Sequence, residues 1–250
     1  MSSVNSKFEN KTAIITINRP KVNALNDRLI VELRAAFQNA QSNDYINAVI
    51  LTGEGSFFSF GFDVPEFVSY PKSSFESYVI NYSELIKEIF MFPKPVIAAL
   101  NGHAIAGGCV LALACDYRVM VSPKAKIALN EMTFGSSLFS CVTETLQYAV
   151  GNKNSEKIVY SGKMHSAQEA LSLGLIDQIA NEDQFSQLVS EVAQDFAGKD
   201  KTAFASIKKM LKQETLNRIE SRERETISEF VDIWYSQDTR ENLKKIEIRE

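Results

Sequence analysis

Histidine and cysteine are scarce, two and three among 250 residues, and no CxxC pair occurs. That scarcity excludes a zinc-ribbon site and a disulfide framework, so Cys109, Cys115 and Cys141 read as reduced core thiols. An excess of basic residues is missing too. Lys and Arg number 27 against 31 Asp and Glu, a formal charge of −4, so the basic face that a nucleic-acid partner needs is absent. Local basic spots could still hold a phosphorylated small ligand. No apolar run is long and unbroken enough to span a bilayer, so no membrane partner is expected. The start "MSSVNSKFEN" has no signal h-region and the end "IRE" is not a peroxisomal tripeptide; both leave the cytoplasm as the expected compartment. No repeat, low-complexity tract or Pro/Gly linker divides the chain.

Apolar residues make up 45% of the chain and charged residues 23%, an ordinary balance for a protein with a substantial core. Ala13–Ile17, Ala48–Thr52, Pro95–Gly102, Tyr117–Ser122 and Lys126–Leu129 are short, β-branched and mostly apolar, and predict buried strands. Leu29, Leu33, Phe37 and Ala40 recur at helical spacing behind Asn26, a fitting N-cap. Tyr78, Val79, Tyr82, Leu85, Ile86 and Ile89 mark a longer second helix. Strands alternating with helices imply an α/β core with largely parallel pairing. Beyond about residue 140 helices dominate. Ser166 and Glu169 form a capping box for a helix that Gly174 ends, and the pattern from Gln184 onward is helical and increasingly charged.

Three stretches carry candidate chemistry. "NGHAIAGGCVLALACD", Asn101 to Asp116, loses its side chains at Gly107 and Gly108, where a strand hands over to a helix. First-turn amides lack internal partners and carry the positive end of the helix dipole. Without a Cβ in the way, a carbonyl oxygen that turns negative during reaction can reach them. Close helix–strand packing is the plainer use of an isolated glycine pair, and the commoner one. The loop "GEGSFFSFGFDVPEF", Gly53 to Phe67, could present another N–H around Ser59, Gly61 and Asp63, or could simply tuck its phenylalanines into the core. Glu131, in "KIALNEMTFG", follows a buried strand among Leu129, Met132, Phe134 and Phe139. Apolar neighbours should raise its pKa and make it a better base near neutral pH, although most glutamates are solvated surface groups. Two amides and one carboxylate in one cleft would stabilise an enolate and move a proton beside it.

Taken in order, "AIITINRPKVNAL", "AVILTGEGSFFSFGFD", "PVIAALNGHAIAGGCVLALACDYRV", "KIALNEMTFG" and "SGKMHSAQEALSLGLIDQI" resemble the enoyl-CoA hydratase/isomerase (crotonase) superfamily. The resemblance spans nearly the whole chain and is loose only over the last fifty or so residues. It implies an α/β fold, a spiral of ββα units over residues 1–195, followed by a helical region at 196–250 used in trimerisation. A homotrimer or dimer of trimers is therefore expected. The resemblance also implies that the backbone N–H groups of Ser59 and Gly107 form an oxyanion hole for an acyl-CoA thioester. Lys21 and Val22 would lie near the coenzyme A moiety, with Phe58, Gly61, Asp63 and Gly108 among the substrate contacts. Asp63 would also anchor the loop through backbone hydrogen bonds. Coenzyme A is then part of the substrate, and neither a separate cofactor nor a metal is expected.

Val110 bears on the reaction. Hydratases of this family carry glutamates at the positions matching both Val110 and Glu131, because adding water needs one group to activate the water and a proton for the α-carbon. Valine removes half of that apparatus. Shifting a double bond needs one carboxylate, which can take a proton from C2 and return it at C4. The wording around "AGGC" and "LNE", and the "SSLFSCVTETL" standing where hydratases have "PGxGGTxRL", look like the mitochondrial-type 3-enoyl-CoA to 2-enoyl-CoA isomerases. A hydratase, a thioesterase or another acyl-CoA enzyme of the family, or a binding module without turnover, are the alternatives. Phe58, Phe60, Phe62, Phe134 and Phe139 are candidates for the acyl pocket. His103 reads as packed or hydrogen-bonded, His165 as exposed, Asp116 and Arg118 as a structural pair, and Glu66 and Glu144 as solvated surface charges.

Overall fold

Residues 2–246 are described by the computed structural model. The strands are β1 (Val4–Glu9), β2 (Thr12–Ile17), β3 (Ala48–Gly53), β4 (Phe57–Ser59), β5 (Val96–Leu100), β6 (His103–Ile105), β7 (Tyr117–Ser122), β8 (Lys126–Ala128), β9 (His165–Ser166) and β10 (Gln178–Asn181). They form a six-stranded sheet, β1-β2-β3-β5-β7-β10, and a four-stranded sheet, β4-β6-β8-β9. Pairing is parallel except at the end pairs β1–β2 and β8–β9, as helix-linked strands require.

Strands β2, β3, β7 and β8 lie where the β-branched runs predict them. The expected strand Pro95–Gly102 is instead cut at Asn101 and Gly102, and the chain crosses to the second sheet as β6. A side chain at Gly102 would overlap the Ser56 backbone, so glycine permits the crossing. Asn101 holds the bend, its Oδ1 accepting from Gly53 N–H (2.9 Å) and its Nδ2 donating to Gly55 O (2.9 Å).

The helices are α1 (Asp27–Ser42), α2 (Val64–Phe67), α3 (Lys72–Phe90), α4 (Gly107–Ala114), α5 (Ser140–Ser161), α6 (Ala167–Leu173), α7 (Phe185–Ala197), α8 (Lys201–Trp234) and α9 (Gln237–Leu243). Asn26 caps α1 by accepting from Leu29 N–H, and the Ser166–Glu169 capping box opens α6. No helix among the described residues is long and apolar enough to cross a membrane. The 34-residue α8 returns across the molecule and inserts Phe230, Val231 and Trp234 into the same apolar core as Phe75 and Phe139. Cys109, Cys115 and Cys141 are buried free thiols in that core.

Candidate active site

The two sheets bring the β4–α2 loop, the start of α4 and the turn after β8 around one cavity of about 250 Å³. Phe60, Phe62, Ala106, Gly107, Val110, Glu131, Phe134 and Phe139 line it, and Phe230 and Trp234 of α8 close the far side. Ala106 carries φ +49° and ψ −121°, a conformation alanine rarely adopts. That strain turns β6 into α4 within one residue and leaves Gly107 as the first residue of the helix. Gly61 has φ +94°, and a Cβ there would lie 2.8 Å from Ile105 O and 3.0 Å from Gly107 N. Glycine at 61 therefore keeps the Gly107 amide uncovered. Phe62 follows, and its ring approaches the Gly107 Cα within contact distance of any added Cβ. Among the described residues the N–H groups of Phe62 and Gly107 have no acceptor. Tyr82 supports both residues: its hydroxyl donates to Gly107 O (2.7 Å) and its ring packs edge-on against Phe62 at 4.9 Å.

Glu131 opens a four-residue 3₁₀ turn, Glu131–Phe134, directly after β8. The residue is half-buried as a whole, but its carboxyl points inward, and Oε2 is shut off from solvent without a hydrogen-bond partner. Burial pushes its pKa up to about 7, offset only in part by a bond from its own amide. Of the described residues lining the cavity, Glu131 is the sole carboxylate, and Val110, at 1% exposure, contributes aliphatic surface to the same lining. Tyr82 also ionises in principle, but complete burial raises its phenol far above the ordinary range. The cavity thus joins one carboxyl of pKa about 7 with two unpaired amides and largely apolar walls. No group of three His, Cys, Asp or Glu among the described residues could hold a metal ion.

Several expected site residues stand elsewhere. Ser59 is fully buried in β4, with its hydroxyl donating to Asn23 O (2.8 Å) and accepting from Gly61 N–H (3.2 Å), and it does not line the cavity. The amide on that side of the cavity belongs to Phe62. Gly108 serves packing, since a Cβ there would overlap the Ser59 carbonyl oxygen. Phe58 is wholly buried in the core and does not line this cavity, whereas Phe60, Phe62, Phe134 and Phe139 do. Asp63 caps α2 by accepting from Glu66 N–H and pairs with Arg19 at 2.5 Å, so it anchors the loop as expected but lies outside the cavity. Lys21 stands exposed in a left-handed turn, and the buried Val22 accepts the Phe60 N–H (3.0 Å).

The charged residues also differ from expectation. Asp116 pairs with Lys208 and Lys212 of α8, and Arg118 with Asp177, rather than with each other. Glu144 is buried against Arg218 (2.8 Å), and Glu66 bonds Arg19, Asn26 and Tyr70; neither is a solvated surface charge. His165 is buried, while His103 is hydrogen-bonded as expected, its Nδ1 accepting from Lys126 N–H. Tyr82 and the α8 wall, Phe230 and Trp234, escaped the sequence reading. Tyr82 carries only a helical-period signal, and the wall is set by long-range packing.

Comparison with known proteins gives concordant matches. A family model described as enoyl-CoA hydratase/isomerase matches residues 7–249. A probable enoyl-CoA hydratase of Bacillus subtilis is 30% identical over 98% of this chain and 95% of its own length. The mitochondrial enoyl-CoA delta isomerase 1 of Mus musculus is 32% identical over 69% of this chain and 60% of its own. The crystal structure of human mitochondrial delta3-delta2-enoyl-CoA isomerase superposes with a TM-score of 0.92 at 25% identity, covering 97% of this chain and 95% of that one.

Proposed function

The chain belongs to the enoyl-CoA hydratase/isomerase family and has its crotonase fold, and on that premise we propose that it moves the double bond of a 3-enoyl-CoA to the 2-trans position with Glu131 as its single base. One observation carries the reading: the cavity holds a lone carboxylate of pKa about 7 with Val110 where a second acid would stand. The thioester oxygen accepts the N–H groups of Phe62 and Gly107, which acidifies C2. Glu131 removes a C2 proton. The electron pair spreads over the dienolate, and its negative charge rests on the thioester oxygen between the two amides. The same carboxyl returns the proton to C4, the C3–C4 double bond becomes C2–C3, and Glu131 is again ionised. An oxyanion donor of this type is worth about 3–4 kcal/mol of transition-state stabilisation, so the loop geometry matters as much as the base.

Coenzyme A is read as substrate, with Lys21 and Val22 beside the loop as its proposed contacts, and the proposed assembly is a homotrimer or dimer of trimers. Hydratases and isomerases match this chain at similar identity, and the missing second acid favours isomerisation. The test is the ultraviolet appearance of the conjugated thioester from 3-enoyl-CoA. Wild type should produce it and Glu131→Gln should abolish it; full activity in that variant would overturn the assignment.

A further inference from the structure

Among the described residues the carboxyl of Glu131 receives a hydrogen bond only from its own amide, and Oε2 has no partner. Its place is therefore set by the backbone of a four-residue turn, which has no side-chain cap at its start. Short α9 supplies what that turn lacks. Thr239 is 3% exposed, and its hydroxyl donates to Gly135 O (2.7 Å) while accepting from Ser236 Oγ (3.1 Å). One turn further on, Asn242 Nδ2 donates to Phe134 O (3.4 Å). Gly135 takes φ +81° to end the 3₁₀ turn, so these bonds fasten its C-terminal end. The same segment reaches the other half of the cavity. Arg240 Nη2 donates to Val68 O (2.6 Å), the C-cap of the helix behind Phe62, and Tyr235 Oη donates to Tyr70 O (2.7 Å).

We propose that Tyr235–Leu243 is a clamp that fixes the spacing between base and oxyanion donors, with Thr239 and Asn242 positioning Glu131 and Arg240 positioning the Phe62 turn. This rests on Glu131 being the base. Side chains touching neither substrate nor reacting atoms can still govern rate, because displacing a reacting group by about 1 Å costs up to about a hundredfold. Among the described residues no charged group shifts the Glu131 carboxyl, which responds to its burial and its own amide; Tyr82 on α3 and Cys109 on α4, both raised by burial and further by Glu131, stay neutral. A change in Glu131 titration thus reports on its own seating.

The test compares wild type with Thr239→Val, which keeps the shape but removes the bond, Thr239→Ser, which keeps the hydroxyl, and Asn242→Ala. Steady-state isomerisation and a carbon-13 NMR titration of the Glu131 carboxyl are measured on each. Thr239→Val should lower kcat about tenfold or more with KM within about twofold, and move the titration from near 7 toward the ordinary glutamate range. Thr239→Ser should restore both, and Asn242→Ala should shift both in the same direction as Thr239→Val. An unmoved titration and unchanged kcat in Thr239→Val and Asn242→Ala would overturn the clamp. Should wild type isomerise nothing, the proposed reaction fails, while the titration still decides whether the clamp seats the carboxyl.

Discussion

At the scale of single residues, the burial that raises the Glu131 pKa, and would suit it to the proposed proton transfer, comes at a cost to stability. Its pKa is about 7 in the fold against an ordinary 4.5, so the folded state holds the proton more tightly than the unfolded chain does. Its contribution is fully favourable below about pH 4.5 and is lost as pH rises toward 7. Above that, the ionised carboxyl destabilises the fold by up to roughly 3 kcal/mol. Two outcomes follow from one titration. The kcat/KM for isomerisation should climb through about pH 7 as the base ionises. Glu131→Gln, though inactive, should unfold at higher denaturant than wild type near pH 8, and the advantage should vanish near pH 4. A pH-independent rate between about pH 5 and 8, or a less stable Gln variant at pH 8, would contradict this. Glu131 was legible because an acid inside an apolar run is conspicuous in one dimension. The amide of Phe62 was not, because it depends on the positive φ of Gly61 and on the turn that buries Ser59.

At the scale of elements, the glycine pair divides its work between chemistry and packing. Gly107 gives the cavity an amide, and Gly108 lets α4 settle directly on the Ser59 backbone of β4. A methyl at 108 has nowhere to go without moving helix or strand. Gly108→Ala should therefore lose about 3 kcal/mol of stability and most activity, since Phe62 and Gly107 lie on either side of the displaced contact. A denaturant midpoint equal to wild type would refute that packing role. The caps at Asn26 and Ser166 were readable because a capping residue and its partner lie three positions apart. Strands β4, β6 and β9 were not. Two or three residues are too few to show a period of two, and their pairing comes from the second sheet.

At the scale of the whole molecule, the returning α8 determines what the cavity encloses. Asp116, between α4 and β7, accepts from Lys208 and Lys212 of α8 (2.6 and 2.7 Å), and Glu144 of α5 holds Arg218. Glu223 bonds Ser83 and Lys87 of α3. Those ties hold α8, whose Phe230 and Trp234 line the cavity. The fold class, the C-terminal helices and the three stretches around the cavity could be read from the sequence. The partners across 74 to 96 residues could not, because a charged residue does not announce which distant helix it will meet. On the proposed reaction a single acid would face the activated thioester, and water would meet no second carboxylate among the described residues lining the cavity. The most direct measurement is the product distribution when purified wild type meets a 3-enoyl-CoA and, separately, its 2-trans isomer. Conjugated 2-enoyl-CoA should form from the first, with little or no 3-hydroxyacyl-CoA from either. Conversion of the 2-trans substrate to 3-hydroxyacyl-CoA at a rate rivalling isomerisation would contradict the single-base chemistry.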